Sequence, residues 1–348
     1  FPSLADAEGH AFDAQVYTAY ARVTATSGVT ALNIGRHFIY DTPVVLWLDG
    51  LSGESAEQGK ARWKTRAFAG VPVHAFEAHT TGAFVVGVNE SVRPWRDARL
   101  RVDWLHTRDA SAGLTLEDDL FAAALQQDVG ERVRLAAKYS RLAESNRDVM
   151  LAASWNDYAR GASLQASWFR LLEAQTSRAL ELDPFFDTEL TLFPYDETRV
   201  SATKDFGTTV HALAGLDLRS VVDEADVGPF NHDFERYHLT TTFDELLPGE
   251  VVLALTGEVW NGASADVETW GLDFSRRWGT RFDAGLGSFY SLFKFVPFTT
   301  AERDDVRTHF AAFKFRDGDG MTLSLRYELE DQDGALFQTL RWGASWRF

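Results

Sequence analysis

The chain has 348 residues, a formal net charge of -17, 11 Trp, 26 Phe and no cysteine. Without thiols there is no disulfide, no thiolate metal site and no CxxCH haem attachment, so any electrons passing here would travel on another chain. No apolar run approaches the ~18 residues a membrane-spanning helix needs, and the strong acidity argues against nucleic acid as a partner.

The start at Phe1 shows no charged or apolar leader segment, so the sequence reads as the mature form of an exported protein, its signal peptide removed. The stretch from Asp41 to Lys60 reads as irregular. Beyond it, strands of roughly 10 residues repeat, separated by Gly, Asn, Asp or Ser. Ala98, Leu100, Val102 and Trp104 alternate with Arg99, Arg101 and Asp103, and Val133, Leu135, Ala137 and Tyr139 with Arg132, Arg134, Lys138 and Ser140. The runs Val149–Trp155 and Ala162–Trp168 follow the same rule. Between 171 and 206, Pro184, Pro194 and a weak period of two suggest a long loop or an inward-folded segment. Asp317-Gly318-Asp319-Gly320 is a hairpin signal between two later strands, because its glycines tolerate positive φ.

The ending carries the most information. From Ala335 to Phe348, Leu336, Leu340, Trp342, Ala344, Trp346 and Phe348 share one strand face, with Gln338 as the one polar residue among them. Thr339, Arg341, Gly343, Ser345 and Arg347 point the other way. A soluble sheet would bury that aromatic face under a second layer, which the rest of the chain does not offer. A transmembrane barrel turns it to lipid. The ending also resembles the C-terminal signal of bacterial outer-membrane barrels, which implies recognition by the barrel-assembly machinery.

These patterns define an all-β expectation: residues 1–348 as a single transmembrane antiparallel β-barrel of about 16–18 strands, of bacterial outer-membrane type. The alternation sends Arg99, Arg101, Arg132, Arg134, Lys138, Arg326, Arg341 and Arg347 to the lumen, because a cation facing lipid at the midplane costs roughly 2–4 kcal/mol. Asp103, Asp217, Glu328 and Glu330 are their expected counterions. Trp104, Tyr139, Trp155, Trp168, Tyr327, Trp342, Trp346 and Phe348 are expected at lipid or at the membrane interfaces. The nine histidines have no HExxH spacing and no GxSxG occurs, so the residues point to neither a metal site nor an enzyme.

Several motifs in order resemble the β-barrel component of porin–cytochrome electron conduits of metal-reducing bacteria. They are Ile34-Gly35-Arg36-His37-Phe38 with Leu48-Asp49-Gly50-Leu51, Glu181–Phe186, Phe193-Pro194-Tyr195, Lys204–Gly207, Phe230–Tyr237, Tyr290–Lys294, Glu302–Arg307 and the ending Leu340–Phe348. The resemblance implies an outer-membrane sheath around a multihaem c-type cytochrome, with a second cytochrome at the cell surface. Haem would then sit on the partner chains, with no cofactor in this one. The alternative is a diffusion porin for small polar or anionic solutes.

Overall fold

The computed structural model describes residues 18–24, 28–40, 42–43, 45–73, 82–111, 114–176, 191–227, 231–245, 249–262, 266–296, 301–317, 320–332 and 334–346. In chain order the strands are β1 Ala19–Val23, β2 Val29–Ile39, β3 Leu46–Ser55, β4 Lys64–Pro72, β5 Phe84–Val92, β6 Ala98–Ser111 and β7 Leu114–Val129. There follow β8 Val133–Leu142, β9 Ser145–Asp157, β10 Ala162–Leu171, β11 Gln175–Thr176, β12 Thr191–Leu192, β13 Tyr195–Phe206 and β14 Val210–Val221. The last seven are β15 Phe234–Asp244, β16 Val251–Gly262, β17 Asp266–Trp278, β18 Phe282–Val296, β19 Ala301–Arg316, β20 Met321–Gln332 and β21 Ala335–Trp346. Nineteen of them belong to one sheet, and β11 with β12 forms a separate two-stranded ladder. Among the described residues no α-helix occurs, and Tyr158–Arg160 and Glu224–Asp226 are short 3₁₀ turns.

Each strand from β1 to β8 pairs antiparallel with its sequence neighbour, and so does each from β14 to β21. Such a meander needs only short reversals, and the chain supplies them. Gly130 takes φ +63° in the turn between β7 and β8, a conformation a β-carbon would resist.

The sheet holds nineteen strands where about 16–18 were expected. Strand β3 runs through the Asp41–Lys60 stretch read as irregular, its pattern hidden by Gly50, Ser52 and Gly53. Strand β13 occupies the end of the 171–206 segment read as a loop, and its polar run Asp196-Glu197-Thr198-Arg199 carries no apolar face to read. Arg132, read as strand-borne, lies in the 130–132 turn instead, because β8 begins at Val133. Arg347, Phe348 and the motif Glu181–Phe186 lie outside the described residues.

The chain forms two compact units: residues 1–153, 167–196 and 221–231, and residues 154–166, 197–220 and 232–348. In the first, register stacks the polar face of β5 to β8 into rows. Gly87, Leu105, Leu120 and Leu142 form one row, and Asn89, Asp103, Ala122 and Ser140 the next. The leucine row is 0–1% exposed and joins Ile39, Leu46, Leu48, Phe68 and Val85 in a core. Each such side chain contributes about 1.5–3 kcal/mol on burial. The polar face of this unit thus passes from charged to apolar along the strands, which simple alternation does not show.

In the second unit the apolar face follows the expected period. Trp342 stands opposite Leu325, Leu340 opposite Tyr327, and Ala344 opposite Leu323. Trp342 is 78% and Trp346 70% exposed, together with Leu336 and Leu340. On the polar face, the Phe310 ring lies against Gly287, where an added β-carbon would come within 2.7 Å of ring atoms. Large ring over small neighbour keeps the face even and pins the register.

Candidate functional site: the charged face of the strands

Pairing in β5 to β8 sets Ser91, Arg101, Ala124 and Lys138 in one row, and Arg99, Gln126 and Ala136 in the next. Ala124 leaves room for the two long cations on either side of it. Arg101 Nε donates to Asp103 Oδ2 at 3.0 Å, and Asn89 Nδ2 donates to the other oxygen of that carboxylate. Asp103 is 1% exposed, so the bonds from Arg101 and Asn89 offset what burial of its charge would cost. Lys138 Nζ is 3.9 Å from Asp148, and Arg147 Nη1 reaches the same carboxylate at 3.0 Å. Arg99 is exposed and donates to the Ser91 hydroxyl at 3.0 Å. Arg134 pairs with Asp128 at 2.7 Å beside the β7–β8 turn. Arg99, Arg101 and Lys138 thus share one face of β6 and β8, whereas Arg132 and Arg134 stand at or beside the turn that joins β7 to β8.

A second lattice covers β14 to β21. Arg236 bridges Asp217 at 3.3 Å and Glu258 at 2.8 Å, and its guanidinium lies 4.9 Å from the Trp260 ring centre. Arg326 and Arg341 both contact Glu328, at 2.7 Å and 3.1 Å. Arg277 and Arg316 share Asp283 at 3.0 Å and 2.6 Å. These bonds interleave opposite charges, the Arg236 group keeping one excess negative charge and the Glu328 and Asp283 groups one excess positive charge each.

On the opposite face Trp104, Tyr139 and Tyr327 are exposed, at 41%, 36% and 39%, and Trp155 and Trp168 are half-buried. That face also carries charge. Arg36 Nε and Nη2 reach the two oxygens of Asp49 at 2.7 Å and 2.5 Å, directly across β2 and β3, on the side of Ile34, Leu51, Phe38 and Trp47. Reading the sequence missed Arg147, Asp148, Arg236 and Glu258 as members of these networks. The signal was present in the last two, which alternate with apolar neighbours in Phe234–Leu239 and Val251–Val259.

With this geometry, comparison with known structures is informative. The chain is similar to OccK9 (OpdG) of Pseudomonas aeruginosa, with 13% identity and a TM-score of 0.50 over 89% of this chain and 94% of that one. It is also similar to OpdK of the same organism, solved with vanillate, with 10% identity and a TM-score of 0.50 over 90% and 94%. No protein-family model matches the chain, and no curated protein matches it. The fold is that of a bacterial outer-membrane β-barrel of the porin type.

Proposed function

We propose that the chain is an outer-membrane channel for small polar solutes, its charged face lining the lumen and its aromatic face meeting lipid. One observation carries this reading: the charged face is a lattice of arginines and carboxylates bonded to one another. Fixed charges held in place along a pore wall select among solutes and resist collapse without a partner chain. The likeness to solute channels favours the same reading. In the sheath reading implied by the motif resemblance, the lumen is filled by a cytochrome, and nothing in the lattice requires one. Arg99 pairs with no carboxylate among the described residues, so anions are the first solutes to assay. Vanillate, with which OpdK was solved, is one such anion.

Reconstitution in a planar bilayer tests the proposal. A channel shows stable, narrow conductance steps from this chain alone. A large, weakly selective hole, together with haem co-purifying from native membranes, would instead establish the cytochrome sheath.

A further inference from the structure

We infer that His211 is a proton-operated charge at one end of the channel wall, making ion selectivity there depend on pH. The role in selectivity rests on the channel reading, whereas the charge cluster itself does not.

Three strand ends meet at this site. Asp205 is the last residue but one of β13, His211 the second of β14, and Asp244 the last of β15. The 207–209 turn joins the first two strands. The Asp244 amide donates to the Thr209 carbonyl at 2.7 Å, which fixes the end of β15 against that turn. Register sets His211 opposite Thr242 and Asp217 opposite Arg236, so His211 and Asp244 share the charged face of β14 and β15.

His211 Nδ1 lies 2.7 Å from Asp205 Oδ1, and Nε2 lies 3.1 Å from Asp244 Oδ2. A neutral imidazole has one N–H and one lone pair, and here the lone pair would face a carboxylate oxygen. Only the imidazolium offers an N–H to each neighbour. The arrangement therefore holds a proton on the ring, and the three side chains together carry one negative charge. Loss of that proton leaves two.

The other charges at this end are engaged or stand elsewhere. Lys204 is on the opposite face of β13, donates to the Arg160 carbonyl and lies 5.9 Å from the Phe206 ring centre. Arg160 pairs with Asp157 at 3.2 Å. On β14 the next residue of the same face is Leu213, and on β16 Val252 stands opposite Asp244. Glu245 and Glu250 bound the 245–250 connection, and His211 contacts neither. Among the described residues no lysine or arginine pairs with Asp205 or Asp244. All three side chains are partly open to water, so the ring exchanges its proton with the solution. His211 is thus the group whose ionisation between pH 5 and 8 sets the charge of the cluster.

Reversal potentials of the full-length protein in planar bilayers, in a dilute potassium chloride gradient, test this at pH 5 and pH 9. His211→Lys keeps a cation at both pH values, and His211→Gln carries none at either. Wild type is expected to share the chloride-to-potassium permeability ratio of His211→Lys at pH 5 and that of His211→Gln at pH 9. The two levels should differ about twofold, the effect of one unit charge on an ion passing ~10 Å away in water. His238 and the remaining titrating groups are common to all three proteins and cancel in a comparison at one pH. A wild-type ratio that follows either variant at both pH values, or three equal ratios, overturns the inference. Where one variant fails to fold the other still decides, since wild type must match it at one pH and depart from it at the other. A chain that conducts with no such difference loses this inference alone, whereas a chain that forms no channel loses the channel reading with it.

Discussion

Arg326 on β20 and Arg341 on β21 stand directly opposite each other in the strand register. Like charges so placed push neighbouring strands apart. Glu328, 4% exposed, reverses the sign by contacting both guanidinium groups, at 2.7 Å and 3.1 Å. One buried carboxylate thus turns a repulsive rung into a three-membered clamp near the C-terminal hairpin. Glu328→Gln is expected to lower stability by about 1–3 kcal/mol, because it removes charge-assisted bonds and leaves the two cations facing. Urea unfolding in lipid vesicles reads the change. Adding Arg341→Gln to that variant should recover part of the loss, and a single variant as stable as wild type would refute the clamp.

Phe310 and Gly287 make a second prediction. The ring fills the space of a missing side chain, and a β-carbon at 287 would lie 2.7 Å from it and 2.3 Å from the Leu272 carbonyl oxygen. Gly287→Ala should destabilise by about 1–3 kcal/mol through overpacking. Phe310→Ala in the same chain relieves the ring clash and leaves the carbonyl clash, so rescue should be partial. Full tolerance of the single change would show that the ring does not lie there.

What could be read from the sequence followed one physical condition: a strand betrays its two faces only where they differ in polarity. In β6, β20 and β21 one face is Leu, Val and Trp and the other Arg, Asp and Glu, so both the strands and the division of their faces were legible. Strand β3 places Gly50, Ser52 and Gly53 across both faces, and β13 opens on the polar run Asp196-Glu197-Thr198-Arg199, so each was read as irregular. Arg132 was misplaced because Arg132-Val133-Arg134 continues the alternation across the turn, and only the φ of Gly130 shows where the strand begins. The leucine row Leu105, Leu120 and Leu142 interrupts the charged face, and it emerges only from register across three strands.

The aromatic face yields a third prediction. Trp342 is 78% exposed in a row with Leu325 and Phe313, and Ala311, Tyr327 and Leu340 form the row beside it. If that face meets lipid, Trp342→Arg should cost roughly 2–4 kcal/mol near the midplane and less toward the interfaces. Ser324→Arg, on the neighbouring strand but the other face, should cost little, because its side chain enters the charged lattice. Unfolding of both variants in the same vesicles compares them directly. Equal penalties would mean that the two faces do not differ in environment.

The fourth prediction separates two arginines that the sequence treats alike. Arg101 is bonded to the buried Asp103, so its charge is matched within one residue spacing. Arg99, on the same strand and face, donates to the neutral Ser91 hydroxyl, and no carboxylate pairs with it among the described residues. The potential that a passing anion feels depends on uncompensated charge, since a matched pair decays as a dipole. On the channel reading, Arg99→Gln should therefore lower the chloride-to-potassium permeability ratio more than Arg101→Gln does. Asp103→Asn should raise that ratio, because it leaves the Arg101 charge unmatched. Reversal potentials across a salt gradient measure all three. The difference should shrink as ionic strength rises and the Debye length falls from about 30 Å at 0.01 M to about 3 Å at 1 M. Equal shifts from the two arginines at low salt would show that local pairing does not set the field in the pore, and the ordering by partner would have to be given up.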